Sequence, residues 1–193
     1  MTPAILRRES LTSGHVKLSR LRIRLASGVE VVREVESHGD AVAVLPYDAV
    51  RRCALVVRLF RAPAFEAAGL TALEEACAGI IDDGDAEATV RREADEELGL
   101  RLGRLEFVAK IWPSPGVSTE TAALYLAPYA AEDRIGPGGG LASEHEDIAV
   151  VERPLAELGA EAGDGRIVDG KLLTLVLALR LRRPDLFGSN AVG

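Results

Sequence analysis

The chain has 193 residues, 48% of them hydrophobic and 27% charged, which is enough apolar material for one full core. Its formal net charge is −7, and no basic run collects in one place, which argues against broad binding to nucleic acid or to anionic membranes. Residues 1–10 lack an apolar stretch long enough for a signal peptide, and the longest apolar run, residues 172–179, is too short to span a bilayer, so a cytoplasmic protein is expected. Cys53 and Cys77 lie in apolar, strand-like runs without zinc or disulfide spacing, which predicts buried, reduced thiols.

Residues 16–25 and 29–35 carry partly alternating apolar side chains around Ser27-Gly28, the pattern of an antiparallel hairpin. Continuous apolar runs at 41–45 and 53–60, bounded by Pro46-Tyr47-Asp48 and by Arg61-Ala62-Pro63, predict strands buried on both faces. Glu74-Glu75-Ala76-Cys77-Ala78-Gly79 then leads to an acidic turn around Gly84 and to residues 86–98. That stretch is rich in Ala, Glu and Arg, has no Gly or Pro, and predicts a helix stopped by Gly99. On it Glu93, Glu96 and Glu97 stand at i, i+3 and i+4, so three carboxylates share an arc of roughly 100°. Taken alone, such a set reads first as a solvated acidic face, and it is the flanking residues that change the reading. Residues 105–112 and 122–126 read as strands, joined by a Pro-Ser-Pro-Gly turn that ends at Glu120. Residues 130–143 contain Gly136-Pro137-Gly138-Gly139-Gly140 and are expected to form a mobile loop. Glu144-His145-Glu146-Asp147 precedes a strand at 148–151. Pro154 opens a short helix that Gly163-Asp164-Gly165 ends, and an almost wholly apolar helix over 169–182 is capped by Asp169 and stopped by Pro184. Residues 189–193 are expected to be a flexible tail.

The run Arg92-Glu93-Ala94-Asp95-Glu96-Glu97-Leu98-Gly99-Leu100, led by Gly79 and the acidic turn, resembles a Nudix box and matches its second half position for position. The first half departs from the pattern: Asp85 stands where the box has Glu, and six residues rather than seven separate it from Arg92, which predicts a weaker brace between loop and helix. The shortened box, the Glu75-Ala76-Cys77-Ala78-Gly79 approach and Asp169-Gly170-Lys171 are similar to the branch that hydrolyses GDP-mannose, a relative of the ADP-ribose pyrophosphatases.

The resemblance implies an α+β Nudix fold: an α/β/α sandwich with a mixed central sheet plus an N-terminal antiparallel sheet. Residues 1–38 would be a dimerisation element and residues 39–188 the hydrolase domain of a homodimer. It implies hydrolysis of the pyrophosphate bond of a nucleoside diphosphate sugar, with Mg2+ or Mn2+, to a nucleoside monophosphate and a sugar phosphate. Metal ligands would be Glu93, Glu97, Glu146 and the carbonyl of Ala78, with Glu96 acting through water and Glu144 as the base. Substrate contacts would be Arg33, Arg61, Gly79, Glu120 and Lys171. His15 stands where the relatives stack the base on an aromatic ring.

The residues by themselves leave other readings open. Arg33 also reads as an ordinary strand arginine, Arg61 as a strand-end arginine in water, and Glu120 as a polar hairpin tip. Lys171 sits at a helix N-terminus, where the helix dipole disfavours a cation; that misfit favours a function. A calcium loop around Gly84 fails, because its first ligand would fall on Gly79, which has no side chain. A Nudix fold that only binds, as a nucleotide-sugar sensor, is the alternative to an enzyme; the complete Glu93, Glu96, Glu97 set argues against it.

Overall fold

The computed structural model describes residues 1–12, 14, 16–82, 84–141 and 147–188, and the chain forms two compact units. The first comprises residues 1–40 and 111–122. It holds a three-stranded antiparallel sheet of β1 (Ala4–Ser10), β2 (Lys17–Arg24) and β3 (Glu30–Ser37) in that order. The expected hairpin is β2 and β3, in register from Lys17 opposite Ser37 to Arg24 opposite Glu30. Gly28 supplies the positive φ of 87° that its turn requires. Strand β1 was not expected. All seven of its residues are exposed, so no buried face imposes an alternation on its sequence. The turn after residue 113 is tied to β3, where Glu36 donates its N–H to the Val117 carbonyl at 2.9 Å and accepts from Thr119 N–H at 3.0 Å.

The second unit, residues 41–110 and 123–193, contains the larger sheet. Its strands are β4 (Ala41–Asp48), β5 (Cys53–Leu59), β6 (Leu73–Glu75), β7 (Cys77–Ile80), β8 (Glu106–Ile111), β9 (Ala122–Pro128) and β10 (Ala149–Pro154). The main path runs β10-β5-β4-β9-β8. Strands β4 and β5 pair at Tyr47 opposite Ala54 and Asp48 opposite Cys53, and then diverge. Into that fork goes a wedge: β7 takes Ala41 to Val44 of β4, and β6 takes Val57 to Leu59 of β5. Pro46, expected to end the strand, lies inside β4 between the residues that pair with β7 and those that pair with β5.

Four helices accompany this sheet among the described residues: α1 (Ala62–Ala68), α2 (Ala86–Leu98), α3 (Leu155–Gly163) and α4 (Gly170–Arg182). Helix α1 begins at the Arg61-Ala62-Pro63 boundary that was expected only to end the strand, with Pro63 in its first turn, where a missing N–H is tolerated. Helix α2 has the expected bounds and the expected stop, Gly99 at φ 59°. Asp85 is its N-cap, accepting from the N–H groups of Glu87 and Ala88 at 3.0 Å each, and Thr89 Oγ1 donates to the Asp85 carbonyl at 2.8 Å. The shorter acid at position 85 thus serves as an N-cap of the usual kind. Val90, Ala94 and Leu98 of α2 are fully buried in a core with Val42, Val44, Leu55 and Cys77, and this contact lays the helix over the wedge.

The glycine-rich segment is packed rather than loose. Gly139 N–H donates to the Glu97 carbonyl at 2.8 Å and Gly140 N–H to the Glu96 carbonyl at 3.1 Å, so the segment straps the last turn of α2. A Cβ on Gly138, at φ 70°, would lie 2.3 Å from the Glu97 carbonyl oxygen; the glycine allows a backbone approach no other residue permits. Both cysteines are buried and free of disulfides, and among the described residues no helix is long and apolar enough to cross a membrane.

Candidate active site

The site is built where α2 crosses the wedge. Glu97 is only 4% exposed, and its Oε2 accepts the Ala78 N–H at 3.2 Å. Ala78 stands opposite Ala43 in the β4–β7 pair, yet its N–H goes to Glu97. In an antiparallel ladder the N–H and C=O of one residue point to the same side, so the Ala78 carbonyl also leaves the strand on the α2 side. One turn earlier, Glu93 lies against the next residue of β7. A Cβ on Gly79 would fall 2.1 Å from Glu93 Oε1 and 2.2 Å from its Cδ, so this approach needs glycine. The repulsion among clustered carboxylates is relieved by Arg92, whose Nη2 is 2.7 Å from Glu93 Oε1 and whose Nη1 is 2.8 Å from Glu96 Oε2. Arg92 thereby engages both Glu93 and Glu96, while Glu93 and Glu97 are the two that lie against β7. Among the described residues no three acids, histidines or cysteines converge as a complete metal site. The remaining expected carboxylates, Glu144 and Glu146, lie outside the described residues, as does His15.

The same unit gathers two cations on one buried acid. Arg61, the N-cap residue of α1, donates Nε to Glu75 Oε1 at 2.8 Å and Nη2 to Oε2 at 3.0 Å. Lys171, in the first turn of α4, lies 2.8 Å from Asp169 Oδ2 and 3.6 Å from Glu75 Oε2. The bond to Glu75, opposed by burial and aided by Glu97 and Asp169, holds Arg61 above its ordinary pKa. Burial works against the Lys171 charge, but Asp169 and then Glu75 outweigh it, and the ammonium titrates above its ordinary value. The expected misfit of Lys171 with the helix dipole thus has an electrostatic answer: Asp169 caps α4 through the Leu172 N–H at 2.7 Å and pairs with the lysine as well. Close by, burial first, and then Glu97 and Glu93, push the Cys77 thiol well up.

Arg33 and Glu120 belong to the first unit. Arg33 is exposed on β3 opposite Leu21, and its Nη1 donates to the Val32 carbonyl at 2.8 Å. Glu120 is more than a polar hairpin tip, because its Oε2 lies 3.0 Å from His38 Nε2 and both side chains are partly buried. Glu75, His38 and the bridging role of Arg92 were not foreseen. Glu75 and Arg92 stood inside the quoted motif, but a buried acid declares its purpose only when its partners, here residues 61 and 171, are seen to converge.

Comparison with known proteins bears on this geometry. The NUDIX domain model matches residues 37–175. The chain is 38% identical over 151 residues to a GDP-mannose pyrophosphatase of Pectobacterium atrosepticum, covering 77% of this chain and 76% of that one. It is 37% identical over 151 residues to a GDP-mannose pyrophosphatase of Cronobacter sakazakii, with 78% of each covered. The crystal structure of an ADP compounds hydrolase superposes with a TM-score of 0.75 over 96% of both chains at 19% identity, a likeness of fold. With its box laid on α2, its glycine approach on β7 and a family match over most of its length, the chain belongs to the NUDIX domain family.

Proposed function

We propose that the chain is a magnesium-dependent pyrophosphatase of nucleoside diphosphate sugars, with GDP-mannose as the preferred class and ADP-ribose as the competing one. Its products would be a nucleoside monophosphate and a sugar phosphate. The observation that carries this reading is the presence, in one unit, of the α2 carboxylates Glu93 and Glu97 turned toward β7 and of the Arg61–Lys171 cation pair on Glu75. The names of the curated relatives support the substrate.

The residues fit a hard divalent cation. The donors are carboxylate and carbonyl oxygens, and the absence of a side chain at position 79 lets the Glu93 carboxylate lie directly against β7, where a Cβ would collide with it. Glu93, Glu97, Glu146 and the Ala78 carbonyl would hold magnesium, or manganese, with Glu96 acting through water. A bound ion of this kind neutralises phosphate oxygens and makes water more acidic. Glu144 is the proposed base that takes the proton of the attacking water as the pyrophosphate bond breaks. Arg61 and Lys171 bind the phosphates and the sugar-phosphate side, with the guanidinium suited to paired contacts with phosphate oxygens. Gly79, Arg33 and Glu120 complete the proposed substrate contacts.

Residues 1–38 are proposed to pair two subunits into a homodimer in the cytoplasm. The outer position of β1 in its sheet supports this, since an edge strand offers unpaired backbone groups to a second chain. Residues 39–188 would be the hydrolase domain and 189–193 a tail.

The test is release of GMP from GDP-mannose and of AMP from ADP-ribose, each with magnesium, with manganese and with chelator. Turnover that requires the metal is the expected result. Tight binding of the nucleotide sugars without turnover would replace the enzyme by a sensor.

A further inference from the structure

We infer that Glu75 is a positioning residue for substrate: one buried carboxylate that fixes Arg61 and Lys171 relative to each other, so that both meet the diphosphate of a nucleotide sugar without rearranging. The inference rests on the pyrophosphatase reading above. Glu75 ends β6 at the tip of the wedge, and its side chain is 6% exposed. A buried carboxylate is costly unless it is paired, and an apolar residue would serve packing better. Its partners come from distant parts of the chain: Arg61 is the N-cap of α1, and Lys171 lies in the first turn of α4. They share Glu75 Oε2, with Arg61 Nη2 at 3.0 Å and Lys171 Nζ at 3.6 Å.

The geometry also divides the donors. With Nε and Nη2 of Arg61 engaged by Glu75, the end-on edge of the guanidinium, Nη1 with the second Nη2 hydrogen, remains for a phosphate oxygen. Lys171 likewise has one donor directed to Asp169 and keeps others for substrate. The four charged groups sum to zero. The carboxylates therefore hold the cations in place more than the cations add net attraction, and the expected signature is in binding geometry.

Glu75→Gln keeps the shape and one acceptor oxygen but removes the charge that holds two cations together. Expected is a rise in KM for GDP-mannose of about tenfold or more, with kcat within about threefold of wild type. In an Arg61→Ala, Lys171→Ala background, the same substitution should change kcat/KM by less than about twofold, because nothing is left to position. Glu75→Asp, which keeps the charge but falls one methylene short, should raise KM by less than Gln does; it carries the test if Glu75→Gln does not fold. A merely structural role would lower the folded fraction and kcat while leaving KM alone. An unchanged KM in a folded Glu75 variant, or a full effect persisting in the doubly substituted background, overturns the inference while leaving the pyrophosphatase reading intact. Absence of turnover by the wild type overturns that reading, and this inference with it.

Discussion

Replacing Gly79 by alanine tests the approach of α2 to β7 directly. The new methyl carbon would meet three consecutive atoms of Glu93: Oε1 at 2.1 Å, Cδ at 2.2 Å and Cγ at 2.5 Å. The nearest of these is more than about 1 Å inside ordinary van der Waals contact, and shifting the carboxylate alone does not help when Cγ also clashes. Glu93 must then leave its rotamer and, with it, the 2.7 Å contact to Arg92. Overpacking of this size destabilises by about 1–3 kcal/mol. A displacement near 1 Å at the reacting centre costs activity on the order of 10²-fold. The assays are urea unfolding for stability, magnesium titration of activity, and turnover of GDP-mannose at saturating metal. The expected outcome is modest destabilisation, a raised magnesium requirement and a turnover loss on that scale. Gly116→Ala, where an added Cβ meets nothing within 4 Å, is the control. If Gly79→Ala turns over normally at the wild-type magnesium requirement, Glu93 is not a ligand seated on β7.

Glu97→Gln keeps an acceptor for the Ala78 N–H but removes a proposed ligand, so turnover should fall at least on the order of 10²-fold while the fold persists; a normal rate would remove Glu97 from the metal site. Asp85→Ala deletes the N-cap of α2 and should cost about 1 kcal/mol in urea unfolding, with Asp85→Asn retaining most of it. Cys77 should resist aromatic disulfide reagents in the native protein and react only on unfolding, since burial, Glu97 and Glu93 all disfavour its thiolate; rapid native labelling would contradict that. The Lys171 ammonium titrates higher in the folded chain than in the unfolded one. Its contribution to stability is therefore complete below the ordinary 10.5 and is lost as the pH climbs past the raised folded value, a loss that unfolding curves of Lys171→Met should lack.

Helix α2 was legible because capping, helix propensity and a terminal glycine all agree over residues 85–99. The hairpin β2–β3 and the buried runs of β4 and β5 were legible for the same reason: one face, or both, has a consistent place to go. The wedge was not. Strands of three and four residues are too short to show a period, and they exist because β4 and β5 separate to admit them. Helix α1 was hidden by Pro63, a residue that opens helices as readily as it makes turns. The composition of residues 136–140 correctly excluded helix and strand, yet glycine there serves close approach to α2 rather than freedom. In the site, the acids on one helix face could be read from spacing alone. The partnership of Arg61, Glu75 and Lys171 spans more than a hundred residues of chain and depends on the fork in the sheet.

The strap over α2 also sets a leash. It fastens Gly139 and Gly140 to the carbonyls of Glu97 and Glu96, the residues whose side chains are proposed to work with the metal. From Gly140 the chain reaches Glu144 in four steps and Glu146 in six, at most about 14 and 22 Å when fully drawn out. Chain length alone thus keeps the proposed base and last ligand within a short radius of the helix they serve, and lengthening that tether by inserting glycines after Leu141 should slow turnover of GDP-mannose without touching a single acid.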